Sequence, residues 1–145
     1  MIVFLLIFLV VLSVTVEFGR AVFVKDHVEQ DLNRALNIAV AMSMKDEYRR
    51  DHISSIDTAV ADTAFQEYLH DEMALNASLQ HVMDGQLQYA ITIRTLSIEE
   101  TPPRMTLTAT LHIPNQMLTD LVNVQLDLPL TISSRNQRIE DYIFE

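Results

Sequence analysis

The first 24 residues of this chain constrain its fold more than any other segment. Residues 1 to 16, MIVFLLIFLVVLSVTV, contain no charged side chain, and the apolar character continues to Val24 if Glu17 is neutral or paired. A helix that crosses a membrane needs about 20 predominantly apolar residues. The pattern therefore predicts that residues 1–24, called the anchor below, form a helix that lies in a membrane or in an equally dry interior.

A secretory signal peptide is the alternative interpretation of the anchor. Such a peptide has a basic residue before its apolar core and a small-x-small cleavage site after it. No Lys or Arg precedes the apolar run here, and no such site follows it cleanly, so the membrane helix is preferred. The first cations are Arg20 and Lys25, which leaves nothing basic to hold the N-terminus in the cytoplasm. A basic leader removed before Met1 would account for this.

Beyond the anchor, the sequence has the pattern of an amphipathic helix. Apolar residues recur at intervals of three and four, charged residues occupy the other faces, and no proline interrupts residues 1–50. We therefore predict one helix from about Met1 to about Arg50, which is about 75 Å long at 1.5 Å per residue. Its expected buried face comprises Phe18, Ala21, Val22, Val28, Leu32, Ala35, Leu36, Ala39 and Met42.

A second, shorter helix is predicted from about Ser55 to about Met73. Ser54 and Ser55 are both candidates for its N-cap, because a serine hydroxyl can accept a hydrogen bond from a free amide of the first turn. The expected buried stripe consists of Ile56, Val60, Ala64, Phe65 and Leu69.

Three segments after residue 86 alternate between apolar and polar residues, which is the pattern of half-buried strands. Together they predict an antiparallel sheet with one apolar face, and the amphipathic helix is available to cover that face. The expected fold class is α+β, with Pro129 on an edge strand or a bulge. The inward residues would be Leu87, Tyr89, Ile91 and Ile93; then Met105, Leu107, Ala109, Leu111 and Ile113; and then Val122, Val124, Leu126, Leu128, Leu130 and Ile132.

The chain is acidic, with 20 Asp and Glu against 10 Lys and Arg and a net charge of −10. This charge repels nucleic acids, so we expect no nucleic-acid partner. Eight of the acidic residues lie between Asp57 and Glu100, where Arg94 is the single cation. A solvated surface is the preferred interpretation of this excess, and a patch for a basic neighbour or for cations is the alternative.

Residues typical of catalytic or metal sites are scarce. The absence of cysteine excludes disulfides and thiolate metal sites, and two glycines are too few for a phosphate-binding loop. His27 and Asp31 lie one helical turn apart, but an exposed ion pair explains this spacing better than a metal site. His70 to Glu72 fit a solvated helix end. We therefore expect no enzymatic activity, no cofactor and no metal.

Two segments carry a resemblance to a known family. VEFGRAVFVKDHVEQDLNRALNIAVA, residues 16–41, is similar to the segment that closes the hydrophobic helix in TadE-like proteins of tight-adherence pili, within the type IV pilin superfamily. The closing strand LPLTISSR is compatible with these proteins as well. One departure is plain, because type IV pilins have a glutamate fifth in the mature chain and this sequence has Leu5. Either Met1 is not the mature start or Glu17 is the acidic residue that matters.

The resemblance implies a structural subunit that polymerises with copies of itself into a filament on the cell surface. It also implies a precursor in the inner membrane, a prepilin-type peptidase and an ATP-driven assembly machine. Residues 1–24 would form the membrane helix and filament core, and residues 25–145 the globular domain. The alternative is a membrane-anchored minor pilin or an accessory binding protein that stays unpolymerised.

Four residues in the anchor are the candidate assembly site. Glu17 would be costly in an apolar environment unless it is paired, and Arg20 is its nearest candidate partner. One interpretation is that Glu17 marks the boundary between membrane and water. The other is that Glu17 and Arg20, from one chain or from neighbouring chains, fix the stagger between packed helices. Thr15 and Gly19 form a small-xxx-small pair that admits a neighbouring backbone, or they belong to an ordinary single-pass helix.

Overall fold

A computed structural model describes residues 1–45, 55–115 and 125–134 of the chain. Two helices and four strands follow one another along these residues, which confirms the α+β class. The elements are α1 (Ile2–Met42), α2 (Thr58–Asp71), β1 (Gln80–Met83), β2 (Gln86–Glu99), β3 (Arg104–Pro114) and β4 (Gln125–Ser133).

The long helix α1 ends earlier than the sequence predicts. Ser43 follows the last helical residue, and its amide donates to the carbonyl of Ala39. Met44 then forms an isolated antiparallel bridge with Ile56, so the chain leaves the helix to pair with a distant segment. The predicted end near Arg50 is therefore wrong, because this tertiary pairing overrides the local helical pattern; residues 46–50 lie outside the described part.

The two halves of α1 have different surroundings. In the first half, large apolar side chains from Ile2 to Val16 are exposed, whereas the second half packs on β3, β4 and α2. Of the predicted buried face, Phe18 and Met42 are instead exposed, because they lie beyond the covered stretch from Ala21 to Val40. Val22 is 42% exposed as well and lies about 100° around the helix from Ala21. The buried residues of α1 are Ala21, Val28, Leu32, Ala35, Leu36, Ala39 and Val40.

The second helix α2 is capped by an aspartate. The Asp57 carboxylate accepts hydrogen bonds from the amides of Ala59 and Val60 at 3.0 and 3.2 Å. Ser55 is not the cap, because it is buried and its carbonyl accepts from the amide of Lys45; Ser54 lies outside the described part. The predicted stripe is confirmed at Ala64, Phe65 and Leu69, and Ile56 is buried just before the helix begins. Val60 is 47% exposed, and Ala61 is buried in its place.

The four strands form an antiparallel meander in the order β1-β2-β3-β4. The predicted inward residues of β3, from Met105 to Ile113, are all buried against the helices. In β4, Leu130 and Ile132 are buried, but Leu126 is 40% exposed because it lies at the start of an edge strand. Pro129 is also on this edge strand, as predicted. Val122 and Val124 lie outside the described residues.

A bulge in β2 changes which residues face the core. Ile93 pairs with Ala109 and Thr95 pairs with Thr108, so Arg94 is an extra residue between them. An extra residue in one strand shifts the alternation by one position. The strand continues past Ile93, the last inward residue predicted for it, and after the bulge Leu96 and Ile98 pack against the core.

α1 runs alongside β3 in the opposite direction. Near its middle, Arg20 contacts the carbonyl of Pro114, the last residue of β3. Near its far end, Met44 pairs with Ile56, whose amide donates to the carbonyl of Glu100 in the β2–β3 turn. The end of the sheet that contains Pro114, the start of β4 and the β1–β2 turn therefore lies nearest the anchor, and it is called the basal end below.

Candidate functional site

Glu17 and Arg20 form an ion pair within the chain, one turn apart on α1. Arg20 Nε donates to Glu17 Oε2 at 3.2 Å, and Arg20 Nη2 donates to Glu17 Oε1 at 3.1 Å. Two parallel hydrogen bonds between a guanidinium and a carboxylate are the strongest geometry for such a pair. The side chains are only 22% and 14% exposed, respectively, so water screens the pair weakly.

The same arginine joins the anchor to the sheet. Arg20 Nη2 also donates to the carbonyl of Pro114, where β3 ends. Its other terminal nitrogen, Nη1, is buried and has no hydrogen-bond partner among the described residues. Arg20 thus connects the carboxylate of Glu17 on α1 with the backbone of the basal end, and we call these three residues the junction.

The junction explains how a carboxylate can occupy an apolar run. Because Arg20 neutralises Glu17, the two residues enter an apolar environment as a pair with no net charge. A neutral pair with its hydrogen bonds made costs far less to desolvate than an isolated ion. The sequence singles out Glu17 and Arg20 as candidate partners, and the structure brings them together; the contact with Pro114 is 94 positions away from Arg20 and has no local signal.

Thr15 and Gly19 lie on a different side of α1 from the buried face. At 3.6 residues per turn, Gly19 is about 160° around the helix from Ala21, whose side chain faces the sheet. Thr15 and Gly19 are exposed, and the Thr15 hydroxyl donates to the carbonyl of Val11 at 2.8 Å. A Cβ atom added at Gly19 would meet nothing within 4 Å. The pair therefore presents a smooth surface that no other part of the described chain covers.

The residues considered for a metal site form ordinary helical contacts. His27 Nε2 lies 3.3 Å from Asp31 Oδ2 one turn along the helix, and the imidazole stacks on Phe23 with ring centroids 6.4 Å apart. Lys25 pairs with Glu29 at 2.6 Å on the same half of α1. Within residues 1–45, 55–115 and 125–134, no three His, Cys, Asp or Glu side chains group in a way that could hold a metal ion.

The sequence does not predict a polar cluster that lies on the outer face of the sheet. His112 Nδ1 lies 2.7 Å from Asp127 Oδ1, and His112 Nε2 lies 2.9 Å from Thr92 Oγ1. If Nδ1 donates to Asp127, it cannot accept from Gln125, so the Gln125 amide donates to Asp127 Oδ1 at 2.7 Å instead. The hydrogen bonds from Gln125 and then His112 lower the pKa of Asp127.

This outer cluster links three neighbouring strands, β2, β3 and β4. Its members are far apart in sequence, and each occupies an outward position that the alternating pattern marks only as polar. The strand register that brings them together could not be read from the sequence. Because Asp127 is 58% exposed and the cluster faces solvent, we assign it to cross-strand stabilisation of the sheet.

The exposed surface of the anchor is the largest unpaired apolar surface of the described chain. Among the described residues, α1 is the one helix long and apolar enough to cross a membrane, and none of its most apolar window is buried inside the domain. Patches above a few hundred Å² on soluble proteins mark sites of interaction with proteins or lipids. The large apolar residues involved are Ile2, Val3, Phe4, Leu5, Leu6, Ile7, Phe8, Leu9, Val10, Val11, Leu12, Val14 and Val16.

Comparisons with family models, with curated proteins and with solved structures find no significant match to this chain. A function is therefore inferred from the anchor, the junction and the sequence resemblance.

Proposed function

We propose that this chain is a structural subunit of a pilus-like filament, held in a membrane by the anchor before assembly and packed through the same helix afterwards. The observation that carries the proposal is the division of α1. Its second half completes the core of the domain, while residues 2–16 are uncharged on all sides and their large apolar side chains lie exposed outside the domain. A surface of this kind is stable only in lipid or against other apolar helices.

The side of the anchor that contains Thr15 and Gly19 is suited to packing against another copy of the helix. Thr15 and Gly19 would let the backbone of a neighbouring helix approach closely, and close approach is how apolar helices associate when lipid competes for the same surface. On this proposal, lipid covers the anchor in the precursor and copies of the same helix replace lipid in the filament. Both environments are dry, so the transfer exposes little apolar surface to water.

The resemblance to TadE-like proteins supports the cellular context. On the basis of this resemblance we propose a precursor in the inner membrane that a prepilin-type peptidase processes. An ATP-driven machine would then assemble the subunits, and the filament would lie at the cell surface. The residues that carry this part are the segment from Val16 to Ala41 and the strand residues of LPLTISSR that end β4.

One observation favours the second candidate function, a membrane-anchored minor pilin or accessory protein that stays unpolymerised. Glu17 is paired with Arg20 of its own chain, so a single subunit in a bilayer carries no unpaired charge in the anchor. A charge that needed a neighbouring subunit would have argued for polymerisation. This internal pairing makes the monomer stable in lipid. The choice between polymerising and staying a monomer therefore depends on whether the surface of small side chains at Thr15 and Gly19 packs against a neighbouring helix.

The test is electron microscopy of surface filaments from cells that produce the chain, combined with mass spectrometry of the N-terminus of the filament subunit. Gly19→Leu should abolish filaments while the protein stays in the membrane, because a large side chain separates the packed helices. Val10→Leu is the matched control, since it lies about 180° around the helix from Gly19 and keeps an apolar side chain. Normal filaments from the Gly19→Leu protein, or membrane-bound monomers without filaments from the wild type, would contradict the proposal.

A further inference from the structure

The basal end of the sheet reaches past the junction toward the anchor. β2 begins at Gln86 but first pairs with β3 at Ala90 and His112, and β3 ends at Pro114, two residues further on. The first residues of β2 therefore continue beyond Pro114 by about two positions, or roughly 7 Å at 3.3 Å per residue. Among the described residues, the hairpin of β1 and β2 projects furthest in this direction.

This projection brings the hairpin to the level of the apolar half of α1, while α1 itself packs on β3, β4 and α2. Pro114 lies at the level of Arg20, because the two are hydrogen-bonded. At 1.5 Å per residue, roughly 7 Å corresponds to about five residues of the helix, which takes the hairpin to about the level of Thr15. That level is within the uncharged run that ends at Val16.

The hairpin and its surroundings expose apolar side chains. Val82 is 48% exposed and Met83 is 58% exposed at the end of β1, next to the turn formed by Asp84 and Gly85. Leu126, at the start of β4, is 40% exposed at the same end of the sheet. We call Val82, Met83 and Leu126 the basal rim.

The exposed apolar surface of the anchor extends along α1 up to the basal end of the sheet. Phe18 lies about 60° around α1 from Ala21, on the side that faces the sheet, yet it is 67% exposed because the domain begins above it. The basal rim thus lies near the same height along α1 as the exposed apolar residues of the anchor. Single exposed apolar residues are common, but a group at the level of a membrane helix is not accounted for by the domain.

We propose that the basal rim is a second membrane-contact site, which dips into the interface of the bilayer that holds the anchor. The inference rests on the proposed membrane anchoring of α1. The occupant is the lipid interface, where partly exposed Val, Leu and Met side chains are buried beside headgroups. Zwitterionic lipid fits best, because the net charge of −10 and Asp84 at the turn repel anionic headgroups.

Contact at two points gives the domain a fixed orientation on the membrane. A single helix crossing would let the domain rotate about the axis of α1 and tilt from it. The rim, with Val82 and Met83 on one edge strand and Leu126 on the other, restricts both motions. It keeps the outer cluster at His112 and Asp127 close to the membrane surface, because His112 lies two residues from Pro114. The domain would present the same face outward in every subunit before assembly.

The absence of cysteine allows a direct test with the full chain. Met83→Cys, Thr101→Cys and Val10→Cys are each labelled with an environment-sensitive dye and reconstituted in phosphatidylcholine vesicles. Val10 reports on the anchor, and Thr101 is the matched exposed position in the turn at the opposite end of the sheet. The Met83 label should emit at shorter wavelength than the Thr101 label and be quenched by lipids that carry a spin label near the headgroup. Adding Val82→Asp should remove this quenching.

The labels separate the failure of this inference from the failure of the proposed function. A Val10 label quenched by lipids that carry a spin label deep in the acyl chain, together with Met83 and Thr101 labels that are equally exposed to water, would overturn the rim and leave the anchor intact. A Val10 label that these acyl-chain quenchers do not reach would overturn the membrane anchoring and the rim together. A Met83 shift that depends on protein concentration, with no quenching by lipid, would assign the rim to a second copy of the chain and refute the lipid contact.

Discussion

Arg20→Met tests most directly whether the junction holds α1 to the sheet. Arg20 donates two hydrogen bonds to Glu17 and one to the carbonyl of Pro114. Methionine replaces the apolar stem of the side chain but lacks the guanidinium, so it removes every one of these bonds. The substitution leaves the Glu17 carboxylate without this partner in a largely buried position.

The exposure of the pair sets how much Arg20→Met should lower the free energy of unfolding. Exposed ion pairs contribute about 0–1 kcal/mol, whereas breaking a fully buried pair costs about 3–5 kcal/mol. With 22% of Arg20 and 14% of Glu17 exposed, this pair lies between the two limits, and we expect Arg20→Met to lower the free energy of unfolding by about 2 kcal/mol. A double-mutant cycle with Glu17→Gln should give a coupling energy of about 1–2 kcal/mol.

The assay is urea unfolding of the full chain in non-ionic detergent micelles, followed by tyrosine fluorescence. The chain contains four tyrosines and no tryptophan, so the signal is not masked, and Tyr89 in the core reports on the domain. Lys25→Met is the matched control, because it breaks an ion pair with Glu29 on the exposed side of the same helix. It should leave the urea midpoint unchanged. Equal, small effects of Arg20→Met and Lys25→Met would refute the structural role of the junction.

Four further predictions follow from the same geometry. Deletion of residues 1–24 should give a soluble, folded monomer, because the buried face of α1 from Val28 onward still covers the sheet; sedimentation and NMR would show this, and filaments from the fragment would contradict it. Leu107→Asp should unfold the domain, since it buries an unpaired charge at a cost of about 4 kcal/mol or more, whereas Thr108→Asp on the outer face should be mild in thermal melts. Burial, and then the nearby charge of Asp31, raise the pKa of Tyr89 to about 12. The folded state thus holds this proton more tightly than the unfolded state, and stability present below about pH 10 should be lost as pH rises toward 12, less steeply in Tyr89→Phe. Glu17→Leu should leave the protein in the membrane but remove filaments or change their helical rise, and unchanged filaments would make Glu17 a boundary marker.

The elements that the sequence predicts well are those in which one period continues for many residues. The alternation of β3 from Met105 to Ile113 gives its inward face without error, and the three-four spacing of α1 gives most of its buried residues. In each case a buried face repeats often enough for the pattern to be unambiguous. The prediction that the helix covers the sheet follows from the same two patterns, because each apolar face needs a partner.

The errors occur where a distant contact overrides a local pattern. β1 has only four residues, too few for an alternating signal, and it exists because it pairs with β2. The bulge at Arg94 and the early end of α1 depend on register with β3 and on the bridge to Ile56. Val60 fits the apolar stripe of α2 by spacing, but the described residues leave 47% of its surface exposed. Local periodicity contains no information about these partners.

The candidate site shows the same division between local and distant information. Glu17 stands out because it is a charge in an apolar run, and Arg20 lies one turn away, so the pair is visible in the sequence. The carbonyl of Pro114 is not, although it decides what the pair does in a single subunit: it ties the ion pair to the basal end of the sheet. A partner exchange between neighbouring subunits would keep every charge neutralised, but it would break the two hydrogen bonds that Arg20 donates to Glu17 of its own chain. The stagger hypothesis therefore requires that helix packing at Thr15 and Gly19 offset the rearrangement of this pair, which makes that packing the driving element and the ion pair the element that selects the register.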